Sequence, residues 1–516
     1  MPSPFCLVGL DAYESNRGEL WNLAAGKREG LIKGNPEKAN RRTLSPDGKY
    51  LALAVLDRAQ ANSIEVWSLE TGERAASFPA DDKSLSMTIL DFAGPNELVT
   101  YTFGQQNGKF VYHLRIWEPA TGKSLRQFDL EKNVSGDTRY DISPGGHWLA
   151  TLMNPEVVIY DLRTGKPAGT ITPPSKTEDG KHVSVDSVRF SHDGKEIACL
   201  SEGSDGSVLV VHDTATGERK LTHELPKSYK SALQNPASYK GPHIEFVAEP
   251  AGFLWYGGGF IERETGLMLW RYQQGITEFS HWKRLLTPSG LIVSSGGHDS
   301  RKIVSLPFPA DKLKASLKAY RGDAPALVKP GEKVKLSVKV SQVRFGKPAD
   351  AEVALTDVLA ERLADDGLEA ADEGSTAVSV QYKEGTGKTL QEFKGGNLIG
   401  RGGVATGRTV QSTSAELAIK WTSADGKATI YEHTLNLDPN TLLFTNQAQV
   451  TDELARKQVF DIIKIQLAGL PMPYFVPNDK SLAVLPMTTT SQAAAPVSRK
   501  DALKKKINSK LKKVGK

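Results

Sequence analysis

The sequence predicts a mainly β fold: a seven-bladed β-propeller, or alternatively a six-bladed one, followed by a small α+β domain and a disordered basic tail. Three observations predict it: a repeat of about 48 residues, short strand patterns within each unit, and a change of pattern after residue 313. Self-similarity at a period of 40–50 residues is typical of repeat folds, and four short strands per unit are typical of a propeller blade.

Two sequence anchors recur in the units. The first is a turn between strands, found at 45–48 (SPDG), 93–97, 143–146 (SPGG), 191–194 (SHDG), 249–252 and 287–290. The second is a strand with an aromatic residue or histidine, followed by a turn whose last residue is Gly26, Gly72, Gly122, Gly165, Gly217 or Gly266. We expect Asp47 and Asp193 of the first anchor to cap backbone N–H groups within their turns.

The anchors, F/L-S-P-D-G-K and then I-x-V-W/Y followed by T-G-E/K, resemble those of divergent bacterial WD-repeat-like propellers of the planctomycete type. The resemblance covers residues 1–313, and no repeat pairs a Gly-His start with a closing Trp-Asp. It implies a propeller fold, and no binding residue of the family is carried over to a position of this chain. We expect no catalytic, cofactor-binding or metal-binding residues, because the corresponding motifs are missing from the sequence. Residues 4–34 contain only the second half of a unit, so the blade count stays open and the natural protein is expected to begin further upstream if a first strand is missing.

After residue 313 the pattern no longer repeats. We predict a polar linker at 314–329, an α+β domain at 330–486, a second linker at 487–498 and a basic tail at 499–516. Within the domain, periodicity predicts helices at about 349–366 and 451–468, strands at 334–340 and 377–382, and a hairpin turn at 424–426. Such a domain resembles those that follow WD-like propellers in planctomycete-type proteins.

Charge is distributed unevenly along the chain. The formal net charge is +5, but the tail holds nine basic residues and one acid, a net of +8, which leaves −3 for the rest. The two cysteines, Cys6 and Cys199, exclude a disulfide scaffold and a cysteine zinc site. No apolar run approaches 18 residues, so we expect no transmembrane segment. The sequence as given predicts a cytoplasmic location, and export if the true N-terminus lies upstream.

Two glycine-rich motifs are expected to be structural, and no cofactor is expected. GTGKT at 385–389 resembles the end of a phosphate-binding loop, but Tyr382 occupies the position that requires glycine, and the strand–turn–strand context predicts a hairpin turn. GGNLIGRGGVATG is followed by a strand pattern rather than a helix and predicts a loop. No HExxH or zinc-spaced Cys/His set occurs, so no metal is expected.

The pattern therefore predicts a non-enzymatic protein-interaction scaffold with an unknown protein partner. An insertion at 225–243 offers possible partner-binding residues: Tyr229, Lys230, Tyr239 and Lys240. One alternative is a propeller hydrolase or lyase, which requires carboxylates, His or Arg around the central channel. The other is binding of a polyanion or an anionic membrane surface through the tail lysines, namely Lys504, Lys505, Lys506, Lys510, Lys512 and Lys513.

Overall fold

The computed structural model describes most of the chain between residues 5 and 494. The described ranges are 5–9, 18–22, 27–32, 39–56, 62–82, 84–131, 139–153, 155–203, 206–225, 229, 244–248, 251–256, 259–271, 284–287, 290–295, 302–322, 326–394, 404–439, 451–470, 472–478 and 492–494. For 5–32, 284–307 and 492–494 the description covers the backbone alone.

Antiparallel sheets follow one another through the first 307 residues. The first has three strands: β1 (Phe5–Gly9), β2 (Gly18–Asn22) and β3 (Lys27–Ile32). Five four-stranded sheets follow in chain order. The second sheet contains β4 (Ala39–Leu44), β5 (Tyr50–Leu56), β6 (Asn62–Ser68) and β7 (Arg74–Pro79), and the third contains β8 (Ser86–Gly94), β9 (Glu97–Gln106), β10 (Lys109–Glu118) and β11 (Lys123–Asp129). The fourth contains β12 (Tyr140–Ile142), β13 (Trp148–Met153), β14 (Glu156–Asp161) and β15 (Pro167–Ile171), the fifth contains β16 (Ser184–Phe190), β17 (Glu196–Glu202), β18 (Ser207–Asp213) and β19 (Arg219–Leu225), and the sixth contains β20 (Ile244–Phe246), β21 (Phe253–Tyr256), β22 (Gly259–Glu262) and β23 (Met268–Arg271). The last sheet begins with β24 (Arg284–Thr287), β25 (Gly290–Ser295) and β26 (Lys302–Pro307).

The first sequence anchor forms the turn between the first two strands of a sheet. The Ser45 hydroxyl accepts the N–H of Tyr50 at 2.9 Å and donates to Asp47 at 2.7 Å, while Gly48 takes the left-handed region at φ 72°. Ser191 and Asp193 repeat the arrangement. These aspartates therefore cap their own turns, as the sequence predicts.

The second anchor packs one sheet against the previous one. Gly165 has φ 71°, and a Cβ built on it would lie 2.2 Å from Cγ of Phe128 on the outer strand β11. Gly122 meets Phe78 on β7 in the same way. Glycine is thus required here by conformation and by space. First strands of neighbouring sheets also contact each other, in the pairs β4–β8, β12–β16 and β16–β20. The arrangement is that of propeller blades packed face to face.

A helix occupies much of the segment that the sequence predicts to be a linker. After β26 come α1 (Ala310–Arg321) and β27 (Ala326–Val328), and α1 contacts β23. Leu313 of α1 is fully buried, and Arg321 donates to the Glu262 carboxylate at 2.9 Å. The expected polar connection at 314–329 therefore contains an ordered helix that packs on a propeller sheet. The domain boundaries themselves stay predictions.

The α+β unit is a five-stranded mixed sheet with two helices. Its elements are β28 (Lys333–Gln342), α2 (Pro348–Asp365), β29 (Glu369–Ala371), β30 (Thr376–Lys394), β31 (Val404–Ser423), β32 (Thr429–Leu437) and α3 (Asp452–Ala468), and the sheet order is β29-β28-β30-β31-β32. Helix α2 packs on β28, and α3 packs on β31. Both helices match the predicted ranges; Pro348 begins α2, and the Thr451 hydroxyl caps α3.

One expectation for this unit is wrong. GTGKT at 385–389 lies inside β30, where Gly385 pairs with Ser414 and the register shifts between Thr386 and Thr389. It is a bulge in a long strand and not a hairpin turn, because β31 continues opposite both sides of the motif. The real hairpin turn lies at 424–426, as predicted, with Gly426 at φ 70°.

Two late segments return to the propeller. Strand β33 (Val476–Pro477) pairs with β27, and β34 (Gln492–Ala494) pairs with β26 as the fourth strand of the last sheet. The predicted linker at 487–498 thus contains a short strand. Just before β33, the Tyr474 ring stacks on Tyr229 with a centroid distance of 5.7 Å, and its hydroxyl donates to the Met268 carbonyl. The α+β unit and the sixth sheet therefore share one apolar core.

Candidate functional site

A ring of polar residues lies on the innermost strands of consecutive sheets. Four members stand two positions before the residue whose backbone N–H closes the turn to the second strand, and Asp91 stands two positions before Ala93, where the equivalent turn begins. The members are Thr43 on β4, Asp91 on β8, Asp141 on β12, Arg189 on β16 and Glu245 on β20. Because the first strands of neighbouring sheets contact each other, these side chains meet near the axis of the sheet array. We call this set the axial ring.

Hydrogen bonds of the ring cross from one sheet to the next. Thr43 Oγ1 donates to Asp91 Oδ1 at 2.7 Å, and the Tyr140 hydroxyl donates to Asp91 Oδ2 at 3.4 Å. Arg189 Nη1 donates to Asp141 Oδ1 at 2.8 Å. The bonded residues are 48 or 49 positions apart, which is the period of the sequence repeat. The carboxylates therefore join successive repeats.

Burial sets the protonation of the ring. It raises the pKa of Asp91 and of Asp141, although Thr43 and Arg189 respectively act to lower them. Burial likewise raises the pKa of Glu245 to about 7, with Arg189 opposing the shift and Asp141 adding to it. No hydrogen bond to Glu245 is found among the described residues. Glu245 is thus a carboxyl group that exchanges its proton near neutral pH, which is the property of a general acid or base.

Arg189 is the cation of this group. Burial lowers its pKa, but the carboxylates of Asp141, Glu245 and Asp91 outweigh burial and raise it. The Arg189 and Asp141 side chains keep 23% and 20% of their accessible surface, so both are partly accessible to solvent. The ring contains carboxylates and an arginine, two of the residue types that the enzyme alternative requires around the central channel.

A second feature is the hairpin of β9 and β10, which we call the aromatic hairpin. Its strands have ten residues each, against six or seven in the equivalent hairpins of β5–β6, β13–β14 and β17–β18. Asn107 (φ 50°) and Gly108 (φ 78°) form a two-residue turn of the type that matches strand twist. Just beyond it, Phe110 is 62% exposed and stacks on Tyr112 with a centroid distance of 6.5 Å.

A buried carboxylate anchors the aromatic hairpin. Asp81, in the connection from the previous sheet, accepts Thr102 Oγ1 at 2.7 Å and Arg115 Nη2 at 2.8 Å, and lies 2.8 Å from His113 Nδ1. Only 5% of the Asp81 side chain is exposed. The two strands are thereby tied to the body of the propeller, so the exposed Phe110 is presented on a rigid element.

The structure corrects one predicted partner-binding residue. Tyr229 is 1% exposed, and its hydroxyl accepts the Met268 N–H at 3.1 Å; it is a core residue because the distant Tyr474 covers it. Lys230, Tyr239 and Lys240 lie outside the described residues, as do the six tail lysines, Lys504, Lys505, Lys506, Lys510, Lys512 and Lys513. Their roles stay predictions.

Three further features of the described residues concern metal ions, membrane-spanning helices and the thiol of Cys199. Among the described residues, no group of three or more His, Cys, Asp or Glu is placed to hold a metal ion. No helix in the described part of the chain is long and apolar enough to cross a membrane. Cys199 on β17 is buried, and burial raises the pKa of its thiol to about 12, so it is a small apolar core residue, as predicted.

Two known proteins are similar to parts of this chain. The chain is 26% identical over 170 residues to the Probable U3 small nucleolar RNA-associated protein 18 of Schizosaccharomyces pombe, covering 33% of this chain and 30% of that relative. The crystal structure of the Cps50 (Swd1) β-propeller domain of Myceliophteria thermophila is matched over 60% of this chain and 95% of that domain, at 13% identity and a TM-score of 0.35. No family model matches. The order and contacts of the sheets carry the propeller assignment.

Proposed function

We propose that the chain is a protein-interaction scaffold built on a seven-bladed propeller, and that the aromatic hairpin is its recognition surface. The single observation that carries this proposal is Phe110, a large apolar side chain held exposed on a rigid hairpin. Exposed aromatic side chains on rigid loops are the usual anchors of protein interfaces. The order of the sheets, with a three-stranded first sheet and a last sheet completed by β34, supports seven blades.

Chain topology supports a shared face for the aromatic hairpin and the predicted insertion. Strands alternate in direction within each sheet, so the turn between second and third strands lies at the same end as the connection to the next sheet. The tip of the aromatic hairpin is a turn between second and third strands, because it joins β9 to β10. The insertion at 225–243 is a connection to the next sheet, because it joins the fourth strand β19 to the first strand β20. This order of strands supports a recognition surface that combines the aromatic hairpin with the connection from β19 to β20; the predicted residues Lys230, Tyr239 and Lys240 of that connection lie outside the described residues.

The proposal is tested by capture of partners from an extract of the source organism, with wild type and Phe110→Ala as baits. We expect recovery of the specific partner to fall at least about tenfold, because a buried aromatic anchor is among the costliest residues to truncate. Leu125→Ala is the matched control, since Leu125 is 41% exposed on the outer strand β11. Equal recovery with Phe110→Ala and wild type contradicts the proposal.

The axial ring favours a second candidate function, a small-ligand hydrolase or lyase with Glu245 as the proton-transfer group. Its pKa of about 7 and its place beside Arg189 support this reading. The test is a panel of ester, glycoside and uronate-containing substrates, followed by a pH–rate profile of any turnover. If Glu245→Gln removes the change in reaction rate near pH 7, the result supports an enzymatic function. Turnover that is unchanged in this variant excludes Glu245 from that role.

A further inference from the structure

The outer strand of the last propeller sheet is supplied by a distant part of the chain. β34 (Gln492–Ala494) pairs antiparallel with β26 (Lys302–Pro307), and the register joins Ile303 to Ala494, Val304 to Ala493 and Ser305 to Gln492. The whole α+β unit lies between these two strands in sequence. Only three of the six residues of β26 thus face a partner strand on this edge in the described part of the chain.

This outer strand is weaker than its counterparts. The fourth strands of the second to fifth sheets, β7, β11, β15 and β19, have five to seven residues and follow the third strand through a short turn. The described residues of β34 are Gln-Ala-Ala, a sequence of low strand propensity. Closing a long loop to place it also costs more entropy than a short turn does. β34 is therefore the outer strand that is displaced most easily.

We propose that the β26 edge is a strand-addition site, which β34 occupies within the chain and which an extended, acid-flanked segment of a protein partner occupies in its place. An unpaired edge presents a row of N–H and C=O groups that pairs with any extended chain of suitable register. β34 itself shows the geometry that this edge accepts: an antiparallel strand with small side chains. The site is separate from Phe110, so its failure leaves the proposed function untouched.

Charge decides between a partner protein and a second copy of this chain. Arg499 follows Ala494 by five positions in the sequence, so the basic segment begins shortly after β34. The tail that begins there has a net charge of +8. A second copy donating its own β34 would bring another +8 to the same edge, which repels, whereas acidic residues beside a partner strand are attracted.

The test uses the full chain and two synthetic fluorescein-labelled peptides. Both contain the sequence of residues 489–495, TTSQAAA, followed by three glutamates in one peptide and three lysines in the other. Ala493→Pro/Ala494→Pro frees the edge, because neighbouring N–H groups point to opposite sides of a strand and one of the two must face β26. Ala493→Val/Ala494→Val is the matched control that strengthens the strand.

We expect the glutamate peptide to bind the proline variant at least about tenfold more tightly than it binds wild type or the valine variant, and more tightly than the lysine peptide binds. Equal affinity for the proline variant and wild type overturns the strand-addition site. Equal affinity of the two peptides overturns the acid-flanked partner, and a proline variant that dimerises through this edge makes a second copy the occupant.

Hydrogen exchange on the wild-type chain provides a readout that does not depend on how well a variant folds. The β26 amides on the side of β34 should exchange faster than those of β18, which pairs with β17 and β19 along nearly its whole length, and should slow when the glutamate peptide is added in excess. Slow exchange of β26 without peptide, with no change on addition, contradicts the proposal.

Discussion

Two buried carboxylates, Glu384 of the α+β unit and Glu245 of the propeller, differ in their partners. In the α+β unit, Glu384 has a fully buried side chain and accepts from Arg456 Nε, from the Tyr382 hydroxyl and from the Arg344 N–H. In the propeller, burial raises the pKa of Glu245 to about 7, and no described residue hydrogen-bonds to it. A buried charge with a full set of donors fixes a structure, whereas one without them responds to pH and to ligands.

The largest expected effect removes the partner of Glu384. Arg456→Met should destabilise the α+β unit by about 3–5 kcal/mol, because it leaves a buried carboxylate without its charge partner. Urea denaturation followed by the fluorescence of Trp421, which is fully buried in this unit, measures the loss. Glu384→Leu/Arg456→Met should recover much of the stability, since replacing both partners removes the unpaired charge. A single variant as stable as wild type would show that the pair is not structural.

The next effect concerns Glu245. Its pKa in the folded state, about 7, lies above the ordinary 4.5, so the folded state binds the proton more tightly than the unfolded state does. The resulting stability is complete below pH 4.5 and is lost as pH rises toward 7, by up to about 3 kcal/mol. Glu245→Gln should flatten this slope in urea denaturation between pH 4.5 and 8.

Glu264→Gln is the control for that measurement, because the Glu264 side chain is 73% exposed. It should leave the slope as in wild type. A slope as steep in Glu245→Gln as in wild type contradicts the assignment of this titration to Glu245.

The repeat itself could be predicted from the sequence because its turn residues recur in type. Asp47 and Asp193 stand at equivalent positions in turns that need the same cap, so their capping role could be predicted from this sequence alone. The axial ring is different. Its positions recur, but the residue types change from Thr43 to Asp91 to Arg189, so only the spacing to the turn was available as a signal. Polar residues on an expected innermost strand are the pattern to look for.

Long-range contacts account for the expectation that failed. Tyr229 lies among lysines in the sequence, which predicts exposure, yet Tyr474 covers it from 245 positions away. Local pattern contains no information on such a contact. Phe110 was missed for the opposite reason, because an aromatic residue in a strand pattern predicts partial burial. The available signal was the Asn107–Gly108 turn, which lengthens the hairpin beyond its counterparts.

A smaller difference between the two regions concerns their turn glycines. Gly165 and Gly426 have φ near 70°, but only Gly165 faces a neighbouring sheet, where a Cβ would meet Phe128; nothing lies within 4 Å of a Cβ at Gly426. Gly165→Ala should cost about 2–4 kcal/mol, and Gly426→Ala about 1–2 kcal/mol, because the first adds a clash to the backbone strain. Chemical denaturation of both variants measures the difference. Equal costs would show that the sheets do not pack through this turn.

The smallest effect opposes that of Glu245. His212 on β18 stands where other repeats have Trp67, Trp117 or Tyr160; its Nδ1–H donates to the Gly217 carbonyl at 3.0 Å, and its Nε2 has no partner among the described residues. Burial lowers the pKa of His212 below its ordinary 6.5, so the unfolded state binds the proton more tightly. Stability from the neutral imidazole is therefore present above pH 6.5 and is lost as pH falls below it.

This opposite slope becomes visible once the Glu245 titration is removed. In a Glu245→Gln background, stability should fall as pH drops from 6.5, and adding His212→Tyr should reduce that fall while keeping the aromatic character of the position. Burial also lowers the pKa of His433 on β32, so part of the slope should remain and should be seen by Trp421 of the α+β unit rather than by the propeller. If His212→Tyr leaves the acid slope unchanged in the propeller, the imidazole at this repeat position is protonated as freely in the folded state as in the unfolded state, and the propeller's response to pH comes from the axial ring alone.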